Sequence, residues 1–202
     1  VGIDWSNPLT RGLVFLESNN NTFGASRSIS GVVDRGVSTQ GSGLRFGNAT
    51  ANSVIFSSTN LRPSSNAPFT LVTVYQLTAL PSGSVRIASS FTTGASGYSI
   101  LPNNTNFRGV FASGTNYVLI GGAVSLNPKV DVLRYGNGEG SLFENGRITA
   151  GPSVFPCAAS NINFYIGSDG SGSNSAASIV PLVLFFNRAL SDAEIKKLTI
   201  NP

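Results

Sequence analysis

The stretch Ser178-Ile-Val-Pro-Leu-Val-Leu-Phe-Phe-Asn-Arg-Ala-Leu-Ser-Asp-Ala-Glu-Ile-Lys-Lys-Leu198 decides how this chain is read. Ile179 to Phe186 is continuously apolar around its one proline and rich in β-branched and aromatic residues, the pattern of a buried strand. Ser191 and Glu194 then stand in the Ser-x-x-Glu spacing of a capping box. There a side-chain oxygen and a carboxylate reciprocally satisfy the free N–H groups that open a helix. The segment therefore predicts a buried strand, a sharp turn and one short capped helix over Leu190 to Leu198. No other stretch carries helical periodicity, so the remainder is expected to be β.

Working outward, short strand-like runs recur between Gly, Asn and Ser clusters. They are Leu13–Leu16, Gly43–Gly47, Ser53–Phe56, Phe69–Leu77, Val85–Ala88, Tyr98–Leu101, Phe107–Phe111, Tyr117–Ile120, Val130–Tyr135, Ser141–Phe143, Arg147–Ile148 and Asn163–Ile166. This spacing, without intervening helical patterns, indicates a sandwich or barrel. In Phe69–Leu77, Phe69, Leu71, Tyr75 and Leu77 share one face while Val72 and Val74 occupy the other, which predicts a central strand buried on both sides. Asn145-Gly146, between Leu142 and Ile148, is the preferred pair for a type I′ hairpin, because both central residues need positive φ. Gly167 to Ala177, rich in Gly and Ser, reads as a surface loop.

Several motifs fall in a telling order: Gly43-Leu-Arg-Phe, Phe69-Thr-Leu-Val-Thr-Val-Tyr, Gly97-Tyr-Ser-Ile, Leu142-Phe-Glu-Asn-Gly, Phe164-Tyr-Ile-Gly and Asn187-Arg-Ala-Leu-Ser-x-x-Glu-Ile. In this order they resemble the laminin-G-like, concanavalin A-type jelly-roll family from Leu13 to Leu198. Tyr75 stands where that family usually has Trp. The resemblance implies an antiparallel β-sandwich with one short C-terminal helix. Residues 13–202 are expected to form a single sandwich domain, and residues 1–12 an N-terminal arm or edge segment. The opening Asp4-Trp-Ser-Asn-Pro-Leu-Thr-Arg-Gly-Leu-Val14 further resembles laminin-G-like proteins of tailed bacteriophages.

Composition limits the chemistry. The 202 residues suffice for one large sandwich, and charged residues make up only 11% against 41% hydrophobic, so Ser, Thr, Asn and Gly must supply most surface polarity. The formal charge is +4, but basic residues are scattered and only Lys196-Lys197 are adjacent, which argues against a nucleic-acid partner. An acidic protein or glycan surface would still suit that charge. No apolar run approaches the ~20 residues that span a bilayer, and no signal-peptide pattern is visible. With no His and with Cys157 as its only cysteine, the chain can build neither a Cys/His zinc site nor a His-dependent catalytic triad. Cys157, among Phe155, Pro156 and two alanines, reads as a buried inert thiol. Asn20, Asn48 and Asn103 open matches to the glycosylation triplet, which is short enough to arise by chance in so Asn-rich a chain.

Glycoside hydrolysis usually needs two positioned carboxylates. The hydrolases of the resembled fold carry a Glu-x-Asp-x-x-Glu strand, and none of the acidic residues here form it, Glu139 and Glu144 included. No catalytic residue is expected. The resemblance also raises calcium, through an Asp that often follows the Ile opening the last core strand. Here Ile179 precedes Val180-Pro181, leaving Asp169 and Asn174 as the remaining candidates; beside Gly they read as turn residues, so no metal or cofactor is expected. Trp5 and Tyr117 are the aromatics expected at the surface. Trp5 is the expected partner contact, its other role being to close the bottom of its own sandwich.

Together these readings lead to a non-catalytic virion structural protein, a capsid decoration protein on the outer shell. Its partners would be the major capsid protein or neighbouring virion subunits, with homo-oligomerisation open, and its location the capsid surface. The alternative is a carbohydrate-binding lectin module of a phage tail or bacterial surface. An exposed Trp or Tyr beside Asn and Asp in a groove would favour the lectin, and a flat apolar patch, with the N-terminal arm reaching away from the body, the assembly protein.

Overall fold

The computed structural model describes residues 6–18, 21–30, 33–38, 41–47, 53–93, 95–168 and 175–200. In chain order the strands are β1 (Leu13–Ser18), β2 (Asn21–Phe23), β3 (Ser26–Ser30), β4 (Val33–Ser38), β5 (Gly41–Phe46), β6 (Ser53–Ser57), β7 (Phe69–Leu77), β8 (Ala88–Thr92), β9 (Ser96–Pro102), β10 (Asn106–Ser113), β11 (Asn116–Ala123), β12 (Lys129–Gly136), β13 (Glu139–Glu144), β14 (Arg147–Val154), β15 (Phe164–Ile166) and β16 (Ser178–Phe186). One helix, α1 (Asp192–Ile200), follows. The strands form two antiparallel sheets. A nine-stranded sheet runs β14-β13-β12-β7-β16-β1-β2, with β5 also on β16 and β4 on β5; a seven-stranded sheet runs β11-β10-β9-β8-β15-β6-β3. This is the expected all-β, concanavalin A-like sandwich with a C-terminal helix.

The core lies between the sheets and is built on aromatic rings. Phe69 stacks on Phe185 at 5.5 Å and 12°, and Phe15 meets Phe56 edge-on at 4.9 Å. Such offset and edge-to-face contacts add to the burial of the rings. As expected, β7 is central, between β12 and β16. Its Phe69, Leu71, Tyr75 and Leu77 enter the core, while Val72 and Val74 turn outward into a second apolar cluster.

Pro181 sits inside a central strand, where its missing N–H would normally break a ladder. The strand resolves this by changing partners. Residues 178–180 pair with β5, residues 182–186 pair with β1, and the register with β7 shifts between Ile179 and Leu182. Gly43 makes the handover sterically feasible, since a Cβ there would lie 2.4 Å from the Pro181 nitrogen. The Asn145-Gly146 hairpin also forms as expected, with φ of 49° and 78°.

At the C-terminus the capping box closes both ways. The Ser191 N–H donates to Glu194 at 2.8 Å, and the Glu194 N–H donates to Ser191 Oγ at 3.3 Å. Arg188 adds two donors to the same carboxylate, at 3.0 and 2.7 Å, and holds it down at about 2. Ile195 is buried in the outward cluster with Val72, Val74, Val130 and Val132, so α1 covers the outer face of the nine-stranded sheet. The helix begins at Asp192 and runs two residues beyond the expected Leu198.

Some expectations are corrected. β2, β3 and β4 were not anticipated, because Ser26–Ser30 and Val33–Ser38 are polar and lack alternation; β2 and β3 are edge strands and β4 hangs from β5, where one ladder partner is missing and polar residues are tolerated. The strand expected at Val85–Ala88 begins only at Ala88, and β14 extends to Val154 although it contains Pro152, which an edge position allows.

Candidate functional site

In the seven-stranded sheet, alternation sends Phe107 and Phe111 of β10 into the core and leaves Arg108 and Val110 on the outer face. Register then assembles a surface. Arg108 stands opposite Leu101 of β9 and Ile120 of β11, and Val110 stands opposite Ser99 and Val118. Phe91 of β8 stands opposite Gly97, a position where a Cβ would lie 1.9 Å from the Ser90 carbonyl oxygen and where φ is 96°. Phe91, Leu101, Val110 and Ala112 form a separate apolar cluster there.

A shallow groove of about 170 Å³ runs over this cluster, lined by Ser84, Arg86, Phe91, Thr93, Leu101, Arg108, Val110, Asn116 and Val118. It is smaller than the ~300–1,000 Å³ of an enclosing ligand pocket, so it suits contact with one face of a ligand. The Arg86 guanidinium lies 4.8 Å from the Phe91 ring centroid, within cation–π range. The Nε of Arg108 is buried and has no hydrogen-bond partner among the described residues. None of the lining residues is acidic.

A larger cavity of about 340 Å³ lies where α1 meets the edge of the other sheet, lined by Arg134, Glu139, Ser191 and Glu194 among others. Two of its charged groups, Arg134 and Glu194, are already engaged. Arg134 bonds Asp192 and the Leu190 carbonyl, and Glu194 bonds Arg188. These bonds across the cavity tie the helix to the sheet.

Carboxylates do meet inside the sandwich, which the sequence reading did not foresee. Asp131 pairs with Glu144 across β12 and β13. Asp131 is wholly buried, and burial pushes its carboxyl up to about 7 even though the Tyr75 hydroxyl donates to it at 2.6 Å. Glu144 accepts from the Gly122 N–H and from Lys129 Nζ at 3.1 Å, and that ammonium also lies 3.4 Å from the Phe107 ring centroid. A Cβ on Gly121 would fall 2.4 Å from Glu144 Oε1, so the glycine lets β11 close over the carboxylate. Hydrolysis requires carboxylates flanking a bound sugar; these instead knit one end of the core together.

The other anticipated residues fall as follows. Trp5, the expected partner contact, lies outside the described residues, as do Asp169 and Asn174. Tyr117 was expected at the surface but is half-buried, stacked on Phe155 at 5.1 Å and 13°. Tyr75, Tyr98 and Tyr135 are core residues. Cys157 is buried, and desolvation raises its thiol to about 12. Among the described residues no group of three or more His, Cys, Asp or Glu side chains could hold a metal, and no helix is long and apolar enough to cross a membrane.

The fold is an antiparallel β-sandwich of the concanavalin A-like class. No family model matches the chain, and no curated protein matches it. Solved structures share its fold. The botulinum neurotoxin serotype D binding domain superposes with a TM-score of 0.74 at 10% identity, covering 96% of this chain and 53% of its own. The binding domain of Paraclostridial Mosquitocidal Protein 1 gives 0.73 at 15% identity, covering 95% and 52%. Trypanosoma rangeli sialidase gives 0.66 at 21% identity, covering 93% and 32%. The chain thus spans about half of the binding-domain chains and about a third of the sialidase.

Proposed function

We propose that this chain is a non-catalytic, carbohydrate-binding module. The observation that carries the reading is the groove on the outer face of the seven-stranded sheet. A sugar ring presents an apolar C–H face and a rim of hydroxyls. The groove offers the complement, an apolar floor of Phe91, Leu101 and Val110 with Val118, Ser84, Thr93, Asn116 and two arginines around it. The neighbours named as binding domains superpose with higher TM-scores than the sialidase, which supports the module reading over an enzyme and over the capsid-decoration reading. Display on a virus particle is a separate proposal that rests on the resemblance of Asp4–Val14 to phage proteins.

Titration of an oligosaccharide panel into isotopically labelled protein tests the reading. Saturable amide shifts are expected within β8–β11. Shifts confined to other surfaces would refute the site, absence of binding to any saccharide would refute the module, and cleavage of a bound sugar would refute its non-catalytic character.

A further inference from the structure

We infer that the saccharide this groove takes is an anionic one, carrying a carboxylate or sulfate on an exposed ring, and that Arg108 is its charge-reading residue. The inference rests on the binding-module reading and narrows it.

Arg108 occupies an unusual position. Its neighbours across the strands are Leu101 and Ile120, so the guanidinium stem lies on apolar surface. Its Nε is buried, yet no acceptor among the described residues reaches it. A buried unpaired donor on a cation is costly, and it is relieved by an oxygen acceptor, best of all an anionic one. No lining residue can supply such an acceptor as a carboxylate, because none is Asp or Glu. Arg108 therefore stands in a shallow apolar groove that has no acidic lining residue. A neutral sugar would satisfy the floor and leave the Arg108 charge unanswered. A sugar acid or sulfate ester would place its ring over Phe91 and Val118 and its anion against Arg108, where the planar fork of donors matches two oxygens. The net charge of +4 favours approach of such a ligand.

The experiment uses matched pairs of probes that differ only in charge: oligogalacturonate against its methyl ester, and chondroitin 4-sulfate oligosaccharide against unsulfated chondroitin. Calorimetry at low and high salt is run on the wild type, on Arg108→Gln and on Val118→Asp. Val118 is 44% exposed at the groove rim, so its substitution reverses local charge without entering the core. The inference expects at least one charged member to bind about tenfold or more tightly than its neutral partner, and that preference to vanish in both variants, in keeping with one charge-assisted hydrogen bond. Binding should weaken with salt. Equal affinity for charged and neutral partners, or a preference untouched by both variants, would overturn the inference while leaving the module reading intact. No binding of any probe, together with none in the wider oligosaccharide panel, would bring down both.

Discussion

On the outer face of the nine-stranded sheet, Val72, Val74, Val130 and Val132 lie beneath Ile195 of α1. On the outer face of the seven-stranded sheet, Phe91, Leu101 and Val110 lie beside the side chains of Arg86 and Arg108, with Val118 and Ile120 exposed at the margin. Both faces carry apolar residues at alternate strand positions, and both need cover. The first is covered by a helix of the same chain, joined by a capping box and a two-pronged ion pair. The second has, among the described residues, no helix packed on it. A fixed cover makes a face part of the core, while a cover of long flexible cations leaves a face that a ligand can share. The same physical demand thus yields stability on one side and, on the other, the open face proposed above to take a ligand.

The sharpest way to break this comparison is to truncate one residue on each face. Ile195 is fully buried, and Ile195→Ala should lower stability by about 2–5 kcal/mol, as large-to-small core substitutions do. Val118→Ser, at an exposed position, should stay within about 0.5 kcal/mol. Urea denaturation of the two variants checks the contrast. Comparable losses would mean that the groove face is as much core as the helix face.

Asp131 sets the pH range in which either face can be compared fairly. Its folded value of about 7 lies above the ordinary 3.8, chiefly because burial disfavours the charged form. Between those values the native state holds a proton that the unfolded chain has released, so stability should fall as pH rises from about 4 to about 7. Asp131→Asn, which keeps an oxygen for the Tyr75 hydroxyl, should flatten that slope. Melting curves across the range would read it, and a wild-type melting temperature that climbs from pH 4 to 7 by an amount sensitive to Asp131→Asn would contradict the sign.

How much of this was legible in the sequence differs between the two faces. The helix side was, because its signals are local. Ser191 and Glu194 sit three residues apart, and the two-sided burial of β7 shows in the alternation of Phe69–Leu77. The groove side was not. Arg108 lies within an apolar run, and alternation pairs it with Val110, but nothing local says that Phe91, Leu101 and Val118 share their surface. Register across β8 to β11 decides that, and register is a property of pairing. For the same reason Tyr117 was read as an exposed aromatic, although it stacks on Phe155, and the meeting of Asp131 with Glu144 went unseen. The polar edge strands escaped because their partners, and not their own residues, make them strands.

The smallest expected effect probes how firmly the helix is fixed. Ser191→Ala removes the acceptor for the Glu194 N–H, and a lost cap of this kind costs about 1 kcal/mol. The loss should be no greater, since Glu194 keeps both donors of Arg188 and the Ser191 backbone N–H. Those contacts hold Glu194 at about 2, below its ordinary 4.5, so their stabilisation is complete above pH 4.5 and fades as pH falls toward 2. Ser191→Ala should therefore shift the whole stability curve down while most of its acid limb persists, and Arg188→Ala should weaken the acid limb itself. Chemical denaturation at pH 7 and at pH 3 separates the two. If Ser191→Ala left stability unchanged while its helix frayed, α1 would be an appendage whose opening does not expose core. The contrast between a fixed cover and a shared one would then fail on its better-covered side.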